Sequence, residues 1–173
     1  GQERRPATHA LPFLFVVLHC DQPLAGSARY LLEDVDLVTF GRGPARAATR
    51  RREGDRRALA IHLPGSTVSG AHARLVRGPD GGDGWILEDG PSRNGTFLNG
   101  ERVTRAPLRD GDFIEVGPVL LRYRAALTAS PDAPADLDCA ALSSGSRGFA
   151  TLLPHLADQL SALARIARAP VTA

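Results

Sequence analysis

Polar and basic residues in three turn-rich segments could together bind a phosphate group. Residues 92–100 read Ser-Arg-Asn-Gly-Thr-Phe-Leu-Asn-Gly, so that two Asn-Gly turns lie five residues apart. Upstream, Arg42 follows a strand-like run, and Ser69 and His72 precede another. A phosphate ester carries about −1.5 to −2 charges and three acceptor oxygens, to which guanidinium and hydroxyl groups donate strongly. This chemistry requires a fold that brings donors from the three segments together.

Each of these segments has an ordinary explanation when it is taken alone. A Gly-Arg pair is commonly a solvated arginine, and Ser-x-x-His is commonly a surface serine with a half-buried histidine. A single Asn-Gly pair is commonly a simple hairpin turn. The segments become informative only in combination, because their order, their spacing and their strand-like flanks are all consistent with a single binding site.

The elements that must position these residues are predicted to be short strands. The chain has 18 glycines and 13 prolines and is therefore rich in turns, which Asp-Gly and Asn-Gly pairs mark. Between the turns lie ten strand-like runs: Phe13–His19, Arg29–Leu32, Asp36–Phe40, Ala58–His62, Ala73–Arg77, Trp85–Asp89, Thr96–Leu98, Arg102–Val103, Phe113–Val116 and Val119–Ala125. The pattern predicts a mainly β fold of the sandwich type, in which loops from distant sequence positions can meet at one end.

With these features in order, residues 11–127 resemble a forkhead-associated (FHA) domain, a reader of phosphothreonine. The resemblance implies an FHA-type β-sandwich of about 10–11 short strands. It implies that the phosphopeptide is bound by Arg42, Ser69, Gly70, Arg93 and Asn94. It further implies that the loops are supported by Gly41, His72, Ser92, Gly95, Thr96, Asn99 and Gly100.

The resemblance also implies a role for individual side chains. Arg42 and Arg93 would reach the phosphate, and Ser69 would donate a hydrogen bond to it. Asn94 would bind the peptide backbone beside the phosphorylated residue. His72 would support the serine loop from behind rather than contact the ligand.

Two positions depart from the family pattern. Val68 stands where many members carry a basic residue, and Gly70 stands where a polar or basic side chain is common. Both changes remove possible contacts with the ligand, so binding would depend more strongly on Arg42, Ser69 and Arg93. The preference of the family for phosphothreonine over phosphoserine is explained by a slot for the threonine methyl group.

Length and composition bound the class of protein. The 173 residues suit one domain with appendages, and a hydrophobic content of 43% is enough for a sizeable core. A net charge of +2 is too small to indicate nucleic-acid binding by itself. Cys20 and Cys139 are far apart and belong to no Cys-x-x-Cys pair, so we expect reduced thiols without a disulfide framework. Neither a metal site nor a cofactor is predicted.

The apolar residues 11–18 could be read as a signal peptide, since Arg4 and Arg5 precede them. The run contains Pro12, has only eight residues and is not followed by a small-residue cleavage site. It is also far too short to span a bilayer. A buried strand is the better interpretation, and we expect a cytoplasmic protein without a membrane partner.

Residues 44–57 contain six arginines and follow Arg42 directly. Three interpretations remain open for this segment: a solvated mobile insertion, extra contact with acidic residues near the phosphosite, and nonspecific contact with DNA. Because no aromatic residues that could stack on bases lie between the arginines, direct DNA binding is not expected.

The rest of the chain divides by composition into three parts. Residues 1–10 are predicted to be a disordered tail, and residues 128–148, rich in Ser, Pro, Ala and Asp, are predicted to be a linker. Within residues 149–173, leucines at helical spacing predict an amphipathic helix. This part resembles the segment that leads into the AAA+ ATPase of sigma-54-dependent transcriptional activators. The chain lacks the G-x-x-x-x-G-K-[ST] motif, so it would not be an ATPase by that mechanism.

These observations leave two classes of function. The first is a phosphothreonine reader that forms the sensory part of a bacterial transcriptional regulator, with a Ser/Thr kinase acting upstream on a partner or on another copy. The second is a phosphate-independent interaction or oligomerisation module that acts through its C-terminal helix. Catalysis is not predicted, because no acid is placed to orient His72 beside Ser69 and no oxyanion or metal motif accompanies them.

Overall fold

The described residues fold into a two-sheet β-sandwich. The computed structural model describes residues 10–79, 82–129 and 134–139. Within these ranges it has thirteen strands: β1 Ala10–His19, β2 Ala28–Leu31, β3 Leu37–Arg42, β4 Ala47–Glu53, β5 Arg56–Leu63, β6 Ala73–Arg77, β7 Trp85–Asp89, β8 Thr96–Leu98, β9 Glu101–Val103, β10 Arg105–Pro107, β11 Phe113–Val116, β12 Val119–Thr128 and β13 Leu137–Asp138. The first sheet has the order β13-β2-β1-β12-β11-β8-β9, and the second has the order β10-β7-β6-β3-β5-β4.

The main core lies between the two sheets and is largely aliphatic. In β12 the side chains of Val119, Leu121 and Tyr123 are buried and alternate with more exposed residues, as expected for a strand with one face on the core. The second sheet contributes Phe40 and Trp85 from its inner face, and both are almost fully buried. The alternating strands therefore produce one continuous core, and the polar residues are left to the outer faces and the loops.

Strand β1 is buried on both faces. Leu14 belongs to the main core, whereas Phe13, Phe15 and Val17 face the other way and form a second apolar cluster with Leu137 of β13. We call residues 134–139 the strap; this segment contains β13, which is the edge strand of the first sheet beside β2. An apolar face on each side explains why β1 reads as a continuous hydrophobic run.

The mainly β prediction is confirmed, and each of the ten predicted runs coincides with a strand. The predicted number of strands was too low, because β4, β10 and β13 were not anticipated. Strand β10 is only three residues long and contains Pro107, which suits its position at the edge of the second sheet.

The arginine-rich residues 44–57 are not a mobile loop. Ala47–Glu53 pairs with Arg56–Leu63 along its whole length, and Gly54, with φ of 61°, lies in the tight turn between them. Because β3 and β5 are paired in parallel, β4 occupies the outer edge of the second sheet. All seven residues of β4 are exposed, so the strand shows none of the hydrophobic alternation that sequence patterns detect.

The strap falls within residues 128–148, the segment predicted to be a linker. Leu137–Asp138 pairs with Ala28–Arg29 of β2. The predicted C-terminal helix and the N-terminal tail up to residue 9 lie outside the described residues. In the part of the chain that the structure describes, no helix is long and apolar enough to cross a membrane.

Candidate functional site

Three loops at one end of the sandwich carry the predicted binding residues; we call them the site loops. Arg42 ends β3, Ser69 lies between β5 and β6, and Arg93 and Asn94 lie between β7 and β8. The Arg42 N–H donates to the Ser69 carbonyl oxygen at 3.0 Å. The Arg93 N–H donates to the Ser69 hydroxyl oxygen at 3.1 Å. Ser69 is therefore hydrogen-bonded to both of the other loops.

Gly41 allows the first two site loops to approach each other. The residue is buried, and a Cβ atom at this position would collide with the Gly70 carbonyl oxygen. Gly90 serves the third loop in the same way, since its Cβ would lie 2.6 Å from the Ala71 carbonyl oxygen. The absence of side chains at these two positions therefore lets backbone pack on backbone.

His72 supports the site loops from behind and does not face the solvent. Its side chain is fully buried. Nδ1 accepts a hydrogen bond from the Ser69 N–H at 3.0 Å, and Nε2 lies 2.8 Å from the Gly95 carbonyl oxygen. These partners require the neutral tautomer that carries its proton on Nε2. The ring thus connects the second and third site loops, which agrees with the supporting role that the resemblance implies.

The Ser69 hydroxyl is oriented by the bond that it accepts. Its oxygen is occupied on one side by the Arg93 N–H. The hydroxyl proton can rotate away from that donor, and among the described residues it has no acceptor in hydrogen-bonding distance. Since a hydroxyl has one donor and two acceptor positions, Ser69 can receive the Arg93 amide and donate to a ligand at the same time.

Asp89 organises the third site loop, although the sequence analysis did not assign it to the site. Its carboxylate accepts hydrogen bonds from the Ser92 hydroxyl (2.6 Å), the Ser92 N–H (3.2 Å) and the Thr96 hydroxyl (2.7 Å). The Ser92 hydroxyl oxygen in turn accepts from the Gly95 N–H at 3.0 Å. Burial acts to raise the pKa of Asp89, but these hydrogen bonds, from Ser92 first and then from Thr96, hold the pKa below its ordinary value.

The two Asn-Gly turns have different functions in the structure. The Asn94 amide donates to the Thr67 carbonyl oxygen at 3.1 Å, which leaves the Asn94 Oδ1 atom free to accept. Asn99 and Gly100 have φ of 50° and 84° and form the two-residue turn between β8 and β9. The Asn99 side chain bonds the Phe113 N–H of β11 and is not part of the site loops' hydrogen bonding.

Arg42 and Arg93 are exposed, and the backbone N–H group of each donates a hydrogen bond to Ser69. Neither side chain has a hydrogen bond or an ion pair to any of the described residues. Val68 and Gly70, the neighbours of Ser69 in the second site loop, do not present an exposed polar side chain. Val68 is 1% exposed and packs in the main core, whereas Gly70 is exposed and a Cβ there would meet nothing within 4 Å.

The fold and the site define a class of protein: a β-sandwich whose loops hold a set of cationic and hydroxyl donors outside the core, as a binding module does. Residues 38–117 match the family model described as the FHA domain. This part of the chain is therefore similar to an FHA domain. FHA domains bind phosphothreonine peptides and have regulatory roles.

Proteins with similar sequence or structure occur in distant organisms. The ABC transporter ATP-binding/permease protein Rv1747 of Mycobacterium tuberculosis is 42% identical over 63 residues, which cover 36% of this chain and 7% of that protein. The FHA domain of the CT664 protein from Chlamydia trachomatis has a TM-score of 0.47 at 22% identity, covering 65% of this chain and 96% of that chain. The N-terminal FHA domain of Rad53p from S. cerevisiae, in complex with a phosphothreonine peptide, has a TM-score of 0.37 at 33% identity, covering 52% and 68%.

Proposed function

We propose that this chain binds phosphothreonine peptides through Arg42, Ser69, Arg93 and Asn94. The observation that carries the proposal is the arrangement around Ser69. The exposed residues Arg42 and Arg93 are both bonded to Ser69 through their backbone N–H groups, and the Ser69 hydroxyl, whose oxygen accepts from the Arg93 N–H, has a proton that is free to donate. A dianionic phosphate would bind the preorganised Ser69 hydroxyl, and the two arginine side chains would become ordered on its remaining oxygens.

The energetics favour discrimination against the unmodified peptide. Each charge-assisted hydrogen bond contributes roughly 1.5–3 kcal/mol, so two or three of them outweigh the cost of ordering the arginine side chains. Asn94 supplies the orienting contact. Because its amide nitrogen is engaged with Thr67, its Oδ1 atom can accept a backbone N–H of the peptide next to the phosphothreonine.

The binding proposal is tested by titrating the chain with a phosphothreonine peptide library beside matched unmodified and phosphoserine libraries. We expect selective binding of phosphothreonine, and we expect Arg42→Ala to weaken it at least tenfold, because a guanidinium that binds phosphate is lost. Arg42→Lys is the matched control that keeps the charge but loses the planar fork, and it should retain part of the affinity. Equal binding of all three libraries would contradict the proposal.

We further propose a cytoplasmic regulatory setting. A Ser/Thr kinase would phosphorylate a partner or a second copy of the protein, and docking of that phosphothreonine would control a bacterial transcriptional regulator of the sigma-54-dependent type. The support is the similarity of residues 149–173 to the segment before the ATPase of such activators. The chain spans 7% of the curated relative that it matches, so its cellular role rests on this similarity alone.

The regulatory proposal is tested with a sigma-54-dependent reporter in cells that express the protein and a Ser/Thr kinase. Kinase-dependent reporter output that is lost in Arg42→Ala is the expected result. Reporter output that depends neither on the kinase nor on Arg42 would contradict the regulatory proposal. It would favour an interaction module that works without phosphate.

A further inference from the structure

A shallow groove on the outer face of the second sheet begins at the site loops. Its volume is about 560 Å³. Glycines border it at the site-loop end: Gly41, Gly70 and Gly90. Farther along, Thr39 and Ala60 form a floor of small side chains, and Arg51 and Arg74 stand at the sides. We call this groove the arginine trough. Small residues between long cationic ones leave room for an extended chain.

The pairing of β4 fixes the position of Arg51. Its neighbour Arg50 is turned toward the strap, where it binds both carboxylate oxygens of Asp136 at 2.7 and 2.9 Å. Arg50 also donates to the Leu31 carbonyl oxygen at 2.7 Å. Because successive residues of a strand point to opposite faces, these bonds direct Arg51 to the outer face and into the trough.

The strand register gives the distance of each arginine from the phosphate site. Arg74 is paired with Thr39, two residues along β3 from Gly41. Arg51 is paired with Ala58, which is paired with Leu37, four residues from Gly41. At a rise of about 3.3 Å per residue, the two levels lie roughly 7 and 13 Å from Gly41, and an extended peptide covers these distances in about two and four residues.

The charges of the trough indicate the chemistry of its occupant. Arg51 pairs with Glu53 at 2.5 Å and Arg74 pairs with Glu88 at 3.4 Å, and both arginines are about half exposed. Exposed ion pairs are weak, so an incoming carboxylate can replace either partner at little cost. Asp89 borders the trough, but its carboxylate is occupied by hydrogen bonds within the third site loop.

We propose that the arginine trough binds acidic side chains of the phosphopeptide two to four residues away from the phosphothreonine. The proposal rests on the proposed phosphothreonine binding, because the trough opens directly beside Gly41 and Gly70. Arg51 and Arg74 then act as specificity-determining residues. They select among phosphorylated partners and are not needed for the phosphate contact itself.

The first test compares two phosphothreonine peptides that differ only in their flanks. One carries Asp and Glu two to four residues from the phosphothreonine, and the other carries Asn and Gln there. We expect the full chain to bind the acidic peptide about threefold to fivefold more tightly, the scale of an exposed ion pair. Arg51→Ala and Arg74→Ala should each reduce this preference while the affinity for the neutral peptide is unchanged.

The matched control is Arg52→Ala, which removes the same charge from the opposite face of β4. Arg52→Ala should keep the preference for the acidic peptide. An equal loss in Arg51→Ala and Arg52→Ala would mean nonspecific attraction and would overturn the proposal. If the acidic and neutral peptides bind equally while binding still depends on Arg42, the trough proposal fails and the proposed phosphothreonine function stands.

A second test looks for a gain of binding. Glu53→Gln removes the carboxylate that competes for Arg51, so the acidic peptide should bind about twofold to threefold more tightly to this variant. Glu33→Gln makes the same change in net charge at the other end of the sandwich, where Leu32 bonds the Pro12 carbonyl oxygen, and should have no effect. An equal gain in both variants would contradict the proposal.

A third measurement separates the trough from the phosphate site if no phosphopeptide binds. The unphosphorylated acidic peptide is added at millimolar concentration, and backbone amide shifts are followed by NMR. Shifts of Thr39 and Ala60 that disappear in Arg51→Ala would support the trough, even though the phosphothreonine function had failed. The absence of such shifts in the unsubstituted chain would overturn the proposal.

Discussion

A phosphate-binding hydroxyl is most effective when the protein has already fixed its oxygen. Ser69 meets this condition, because its N–H donates to His72 and its hydroxyl oxygen accepts from Arg93. The remaining freedom of the hydroxyl is the direction of its proton, which costs little to restrict. Preorganisation of this kind allows a small site to bind without a deep pocket.

Gly41→Ala tests whether the close packing of the first two site loops is required. We expect the new methyl group to displace the loop at Gly70, to weaken phosphopeptide binding at least tenfold, and to lower the free energy of unfolding by about 1–3 kcal/mol. Calorimetric titration and urea unfolding measure the two effects.

Gly70→Ala is the control for this change, since it adds the same methyl group where nothing lies within 4 Å. Its stability should remain within about 0.5 kcal/mol of the unsubstituted chain. Similar behaviour of the two alanine variants would show that the Gly41 contact does not shape the site.

Asp89 gives the third site loop a dependence on pH. Its folded-state pKa is lowered, so the stability that it contributes is complete above its unfolded pKa of about 3.9 and is lost as the pH falls through the folded value. We expect Asp89→Asn to lower the free energy of unfolding by about 1–2 kcal/mol at pH 7. The difference from the unsubstituted chain should shrink below pH 4.

Two measurements check the prediction for Asp89. NMR titration should place the midpoint of its carboxyl below the ordinary pKa of an aspartate, about 3.9. Asp21→Asn, at an exposed position, should leave the free energy of unfolding within about 0.5 kcal/mol of the unsubstituted chain at every pH. A midpoint above 4 would contradict the hydrogen-bonding scheme around Ser92 and Thr96.

At the scale of residues, the sequence predicts candidate binding side chains but not the hydrogen bonds that hold them. Arg42, Ser69 and Asn94 could be placed because they occur in short motifs with fixed spacing. Asp89 could not be assigned to the site, because an Asp-Gly pair at the end of a strand is sufficiently explained as a turn. Its bond to Thr96, seven residues away, depends on the loop conformation.

At the scale of elements, the strands that the sequence pattern predicts best are those with at least one apolar face. β12 and β5 have alternating or apolar sequences because they contact the core. β4 was missed because an edge strand is stabilised by its neighbour's backbone and can be polar throughout. β13 was missed because its two residues are specified by contacts that are distant in sequence: Leu137 packs with side chains of β1, and Asp138 binds Arg46.

Two arginines join the β4 hairpin to the strap, and their burial differs. The Arg46 side chain is 5% exposed and binds Asp138 at 2.6 and 3.0 Å. It also donates to the carbonyl oxygens of Gly26 and Ser27 and to His19, whose pKa is lowered by burial first and then by the charge of Arg46. The Arg50 side chain is 41% exposed in its pair with Asp136.

This difference predicts unequal costs of substitution. Arg46→Ala should lower the free energy of unfolding by about 3 kcal/mol or more, because it removes a buried guanidinium together with its hydrogen bonds to Asp138, Gly26 and Ser27. Arg50→Ala should cost less than about 1 kcal/mol, because water screens the exposed pair. Urea unfolding of the two variants at neutral pH measures the difference, and equal costs would contradict the burial argument.

At the scale of the whole molecule, the sandwich has an apolar layer on both sides of the first sheet. The main core lies between the sheets, and the second cluster lies outside β1 against the strap. The proposed phosphate site depends on the first layer, because Val68 and Trp85 pack in the main core. The second layer lies on the far side of that sheet, so stability and ligand binding can be changed separately.

Leu137→Ala tests this separation. Leu137 is 5% exposed and packs with Phe13, Phe15 and Val17, so its truncation should lower the free energy of unfolding by about 2–4 kcal/mol. Leu24→Ala is the matched control, since Leu24 is 100% exposed and its truncation should have almost no effect. Below the unfolding transition, both variants should bind the phosphothreonine peptide with unchanged affinity. A loss of affinity in folded Leu137→Ala would instead show that the strap is coupled to the site loops through β4, since Arg46 and Arg50 of the same hairpin hold the strap in place.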